Sequence, residues 1–123
     1  MSDSITLSSV TLDCPDAGKL AEFYAGITGG TITFRNDAWA TLRCPGGRID
    51  FQTVPGYTPP TWPDASGQVH LDFVVDDLGA AGARVLAAGA TRYDFQPNAE
   101  HCLVHADPAG HPFCLSTWDD VPT

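Results

Sequence analysis

The sequence predicts an α+β fold of two tandem βαβββ modules, and three observations carry that prediction. The segment Ser9-Val10-Thr11-Leu12-Asp13-Cys14-Pro15-Asp16 runs into a helical stretch, and His70-Leu71-Asp72-Phe73-Val74-Val75-Asp76-Asp77 does the same 61 residues later. In each half the order is an alternating strand, an acidic turn, an amphipathic helix and a glycine. Three short strand-like segments then follow each helix. Internal repetition fixes which positions are equivalent in space, so Ser9 is the counterpart of His70.

Each element has its own signal. Residues 5–12 alternate and read as a strand. Pro15 and Asp16 start a helix, the acid suiting the positive end of its dipole. Leu20, Phe23, Tyr24 and Ile27 recur at three and four residues and give one apolar face; Gly29-Gly30 ends it. Strands at about 31–35, 38–43 and 48–54 complete module one, about 4–54, with turns at Asn36-Asp37 and Pro45-Gly46-Gly47.

Residues 55–67 are rich in Pro, Gly, Ser and Thr and read as a linker. Trp62 within it is expected to pack on the domain surface or on the rim of a cavity. Module two, about 68–118, opens with a strand at 68–75 and a helix at 77–88. Leu78, Ala81, Val85 and Leu86 face inward, and Gly89 ends that helix. Strands near 91–96, 101–106 and 111–117 follow, and the tail 119–123 reads as disordered.

A length of 123 residues suits one domain, 1–123, that buries about 65–70% of its unfolded surface. The net charge of -9, with only six Lys and Arg, argues against a nucleic-acid partner; acidity here serves solubility. No apolar run approaches the roughly 20 residues of a membrane span. The start Met1-Ser2-Asp3-Ser4 has no signal-peptide pattern. Cys14, Cys44, Cys102 and Cys114 show no CxxC spacing and are expected as reduced thiols in a cytoplasmic protein.

Three stretches resemble a known superfamily. They are Leu20-Ala21-Glu22-Phe23-Tyr24 with Gly29-Gly30; the segment from Gln68 through His70 to Leu78; and Ala106-Asp107-Pro108-Ala109-Gly110-His111-Pro112-Phe113-Cys114-Leu115. With Pro59-Pro60-Thr61-Trp62-Pro63 ahead of His70, they are similar to the vicinal oxygen chelate superfamily of glyoxalases, bleomycin-resistance proteins and extradiol dioxygenases. The match is to its small glyoxalase-like domain branch. The resemblance implies the glyoxalase/bleomycin-resistance fold, a mixed sheet curled around an open cavity, and a homodimer. It also implies metal ligands on the first and last strands of each module. It is specific for fold and weak for reaction.

Alternation sorts the candidate site residues. Val10, Leu12, Ile49, Phe51, Leu71, Phe73, Phe113 and Leu115 should lie under the helices. Ser9, Thr11, Asp50, Gln52, His70, Asp72, Cys114 and Ser116 then share the opposite faces, a convergence of polar groups that marks a ligand site. The family pattern places His, Gln or Glu at the four ligand positions. Here they hold Ser9, Asp50 (or Gln52), His70 and Cys114, and only His70 is of the usual type.

A set of Asp50, His70 and Cys114 suits zinc, leaving a position for water. It does not suit an iron dioxygenase, which uses two histidines and a carboxylate. The other reading makes His70 a hydrogen-bonded residue without metal. His101 and His105 lie about 13 Å apart on one strand and cannot share an ion. His105 is the candidate acid or base if its face lines the cavity; His101 reads as solvent-exposed and His111 as structural.

Trp39 shares a face with Thr41 and Arg43. If that face is the inner one, Arg43 meets an anionic group of the ligand, and Trp39 and Trp62 line its apolar part. Two functions follow. The first is a metal-independent binder of a small organic molecule. The alternative is a metal-dependent lyase, isomerase or hydrolase, with the metal polarising a carbonyl or holding vicinal oxygens.

Overall fold

The structure, a computed structural model, describes residues 5–63 and 69–117. The chain divides into two compact units, residues 1–57 and 58–123, and each is a βαβββ module. Parts of the expected linker and the expected disordered tail lie outside the described residues.

Module one consists of β1 (Val10–Cys14), α1 (Ala17–Thr28), β2 (Thr31–Arg35), β3 (Trp39–Cys44) and β4 (Gly47–Thr53). The sheet order is β1-β4-β3-β2, with β1 parallel to β4 and the other pairs antiparallel. Asp16 caps α1 by accepting from the Lys19 amide at 3.2 Å, and Gly29 closes it in the left-handed conformation, φ 76°. Leu20, Phe23 and Tyr24 are buried on one helical face. Tyr24 stacks on Phe51 of β4, ring centroids 5.8 Å apart, which fixes the side of the sheet that α1 covers. Leu42, Ile49 and Ala40 are buried with them. Each large side chain so buried contributes about 2 kcal/mol.

Module two repeats the plan with β5 (Leu71–Val74), α2 (Leu78–Ala88), β6 (Thr91–Arg92), β7 (Cys102–Ala106) and β8 (Pro112–Ser116), ordered β5-β8-β7-β6. Asp77 caps α2 at the Ala80 amide, 3.0 Å away. Phe113, Leu115, Val85 and His105 form the core. The repeat reaches a detail that residue patterns alone do not reveal. Arg35 lies over Gly18 of α1, and Arg92 lies over Gly82 of α2. A Cβ on either glycine would come within 2.6 or 2.5 Å of the guanidinium.

Three strands are shorter than the alternation implies, among them the one expected at 68–75, of which only Leu71–Val74 is strand. Residues 5–12 were expected as one strand, yet pairing starts at Val10, opposite Ile49, and Ile5 and Leu7 stand exposed. The segment 91–96 pairs only through Arg92, because the Gln96 side chain takes over. Its Nε2 donates to the Val104 carbonyl and its Oε1 accepts from the Val104 amide, both at 2.9 Å. An amide side chain thus stands in for a backbone partner. All four cysteines are free thiols. Among the described residues no helix is long and apolar enough to cross a membrane.

Candidate functional site

In each module the helix covers one face of the sheet, and register assigns the residues of the other. Partners directly opposite on neighbouring strands project to the same side. In module one Thr11, Asp50 and Thr41 are aligned across β1, β4 and β3, flanked by the pairs Arg43–Arg48 and Trp39–Gln52. This helix-free face is polar except at Trp39.

Asp50 is its centre, 2% exposed. Arg48 grips its carboxylate with both arms, Nε donating to Oδ1 at 3.1 Å and Nη2 to Oδ2 at 2.8 Å. Ser9 Oγ donates to Oδ2 at 2.9 Å, and the Thr41 hydroxyl also donates. Burial alone would raise the Asp50 pKa. The hydrogen bonds from Arg48, Thr41 and Ser9, with the Arg48 charge, outweigh it and hold the group below its ordinary value. Four donors occupy about four lone-pair sites, so the carboxylate is committed.

In module two the alignment is Asp72–Cys114–Val104, flanked by Val74–Ser116–Cys102. His70 stands just ahead of β5, its Nε2 3.3 Å from Asp72 Oδ1. The ligand atoms of His70, Asp72 and Cys114 all lie within 4.8 Å of one another. The Cys114 thiol is buried. Its pKa is pushed far up by burial first, then by hydrogen bonding and proximity to Cys102 and Asp72. Burial and these neighbours favour the thiol over the thiolate.

The sequence profile of the glyoxalase-like domain family matches residues 9–116. The chain belongs to this family. Solved structures of the same fold include a glyoxalase-related enzyme from Fulvimarina pelagi, 22% identical with a TM-score of 0.68, covering 92% of this chain and 88% of that one. Another is the fosfomycin resistance protein FosX from Mesorhizobium loti, 14% identical, TM-score 0.71, covering 94% and 93%. A third is a FosX mutant from Listeria monocytogenes, complexed with Mn(II) and 1S,2S-dihydroxypropylphosphonic acid. It is 18% identical, with a TM-score of 0.73 and 94% of each chain covered. Among curated proteins none matches significantly. At these identities the structures speak for the glyoxalase fold alone.

The two modules of this glyoxalase-like domain treat the family's metal positions differently. Asp50 accepts from Ser9 and from Arg48, so its carboxylate is already committed within the protein. His70 and Cys114 are joined by Asp72, and nitrogen, oxygen and sulfur donors at that spacing fit zinc. Two of the expected ligands, His70 and Cys114, thus stand together in module two, with Asp72 beside them.

The candidate base His105 is placed elsewhere. It pairs directly with Phe113 across β7 and β8, stacks on that ring with centroids 5.6 Å apart, and is fully buried in the core. Cys102, Val104 and Ala106, not His101, Leu103 and His105, share the face of Asp72 and Cys114. Burial, then the Arg92 charge, lowers the His105 pKa, with partial opposition from the Leu103 backbone.

Trp62 packs on Tyr93 and Phe95, centroids 4.7 and 5.8 Å away, within module two. Thr11 and Gln52 are exposed, and Trp39 and Ser116 half-buried. His111 is structural: its Nδ1 lies 2.9 Å from the buried Asp107 carboxylate, which also accepts from the Ala109 and His111 amides. Arg48 is the residue that sequence reasoning passed over. Its signal was the spacing Arg48-x-Asp50, which sets opposite charges side by side on one face of a strand.

Proposed function

We propose that this glyoxalase-like domain binds a small organic molecule on the polar faces of its sheets and does so without a four-ligand metal centre. One observation carries the reading: the carboxylate of Asp50, at a family ligand position, is saturated by Arg48, Ser9 and Thr41. A metal would have to displace a bidentate ion pair from a buried site. The same bonds hold Arg48 in one orientation, with its Nη1 left to orient a polar ligand.

The His70, Asp72 and Cys114 cluster favours a second reading, a zinc site in module two. Zinc bound there would supply Lewis-acid polarisation of a substrate oxygen. His70 and Asp72 would hold it through exposed donors, and Cys114 would first have to release its proton.

Plasma mass spectrometry of the untagged protein, purified without chelators, separates the two, alongside a thermal-shift screen of small organic acids, carbonyl compounds and neutral aromatics. The binder reading expects metal far below one per chain and at least one stabilising compound. Stoichiometric zinc lost on His70→Ala would overturn it in favour of the metal-dependent alternative. An empty screen would sink the binder.

A further inference from the structure

We infer that the helix-free face of module one recognises the oxyanion of a small organic acid through Arg43 and Arg48. The inference rests on the small-molecule reading above and names the chemical class that this face takes.

Arg43 and Arg48 are direct partners across β3 and β4, so both guanidinium stems leave the same side of the sheet. Like charges directly opposite one another destabilise a strand pair. This chain has only six Lys and Arg and a net charge of -9, yet two of the six are set side by side. Asp50 neutralises one of them. It engages Nε and Nη2 of Arg48, and Arg48 Nη1 remains for another acceptor. Among the described residues no ion pair or hydrogen bond engages the Arg43 side chain, which is exposed. The pair therefore carries one uncompensated positive charge.

Arg48 is also fixed in advance. Its anchor Asp50 is buried, and the anchor is itself held by Ser9 and Thr41. Its side chain has already lost the rotamer freedom that binding would otherwise cost. A guanidinium so held, beside an exposed one, offers the forked donors that match a carboxylate or phosphoryl group. Further along β3 the face continues over Thr41 to Trp39, about 13 Å from Arg43 at strand rise. An acid with an apolar, planar body spans that interval.

The test titrates the full-length protein with benzoate, phenylphosphonate and the neutral benzamide, following the Nε–Hε NMR signals of Arg43 and Arg48. Both acids should shift these signals, and benzamide should bind about tenfold more weakly or worse. Arg43→Gln lies on the surface and spares the Asp50 network. It should weaken both acids about tenfold, with Arg43→Lys recovering part of the loss. Tighter binding of phenylphosphonate assigns a phosphoryl group and tighter benzoate a carboxylate; either supports the site. Benzamide binding as tightly as benzoate, or acid binding indifferent to Arg43→Gln, overturns the oxyanion site and leaves the small-molecule reading intact. No binding by any of the three also overturns it, while the wider thermal-shift screen judges the broader reading separately.

Discussion

Arg92 donates from Nε to Nε2 of His105 at 3.2 Å, on the helix-facing side of module two. A ring nitrogen that accepts a hydrogen bond carries no proton, so this geometry holds the imidazole neutral. His105 is consequently a core residue, hydrogen-bonded at its ring edge by a cation and stacked on the ring of Phe113.

That neutrality makes stability depend on pH. Burial and Arg92 lower the folded pKa of His105 below its ordinary 6.5. The unfolded chain therefore takes up a proton just below pH 6.5 while the folded chain does not. The contribution is fully present above that pH and is lost as pH falls towards the folded value. Urea midpoints followed by circular dichroism should drop between pH 7.5 and 5.5, and His105→Phe should flatten the drop. An unchanged slope in the variant would contradict this account.

Asp50 acts in a lower window. Its folded pKa lies below the ordinary 3.8, so its contribution is present above that value and lost as pH falls through the lower folded one. At pH 7, Asp50→Asn leaves the Arg48 charge without its carboxylate and should cost about 2 kcal/mol in chemical denaturation. Asp72→Asn, at an exposed position, should cost no more than about 0.5 kcal/mol. Equal costs would mean that the Asp50 network is not structural.

Zinc uptake by module two should release a proton, because Cys114 is a protonated thiol whose pKa is raised. Titration calorimetry in buffers of different ionisation enthalpy measures that proton directly. Cys114→Ser should abolish the buffer dependence. Heats that do not change with buffer would remove Cys114 from the ligand set.

Asp107 holds the β7–β8 turn by accepting from two amides and the His111 ring. Asp107→Ala strands those donors and should cost about 2–3 kcal/mol. His111→Ala leaves the amide bonds in place and should cost about 1 kcal/mol. Thermal denaturation of the two variants checks the ranking.

Residue alternation made the fold legible: Val10 and Leu12, Ile49 and Phe51, and Phe113 and Leu115 each mark the helix side with period two. Leu20, Phe23 and Tyr24 did the same for α1. Period two does not supply absolute phase, however, and the strand 101–106 carries histidines on one face and Cys102, Val104 and Ala106 on the other. The first face mixes histidines with Leu103 and the second is small and apolar, yet it is the first that packs under the helix, and only the pairing of His105 with Phe113 reveals it. The loss of strand at 93–96 depends on where the Gln96 amide reaches, which is a tertiary fact. The role of Arg48 was hidden for a related reason. Its pairing with Asp50 is local, but Arg43 lies across the hairpin and Ser9 just ahead of β1, and no local spacing connects either of them to it.

The parallel pairing of β1 with β4, and of β5 with β8, bears on how the chain is made. Val10 meets Ile49 only after α1, β2 and β3 have been synthesised, so during translation β1 waits with its hydrogen-bonding edge open. The antiparallel segments β2, β3 and β4 join through short connections and have the smaller closure cost. The first strand of each module therefore has the longest loop to close before it finds its partner.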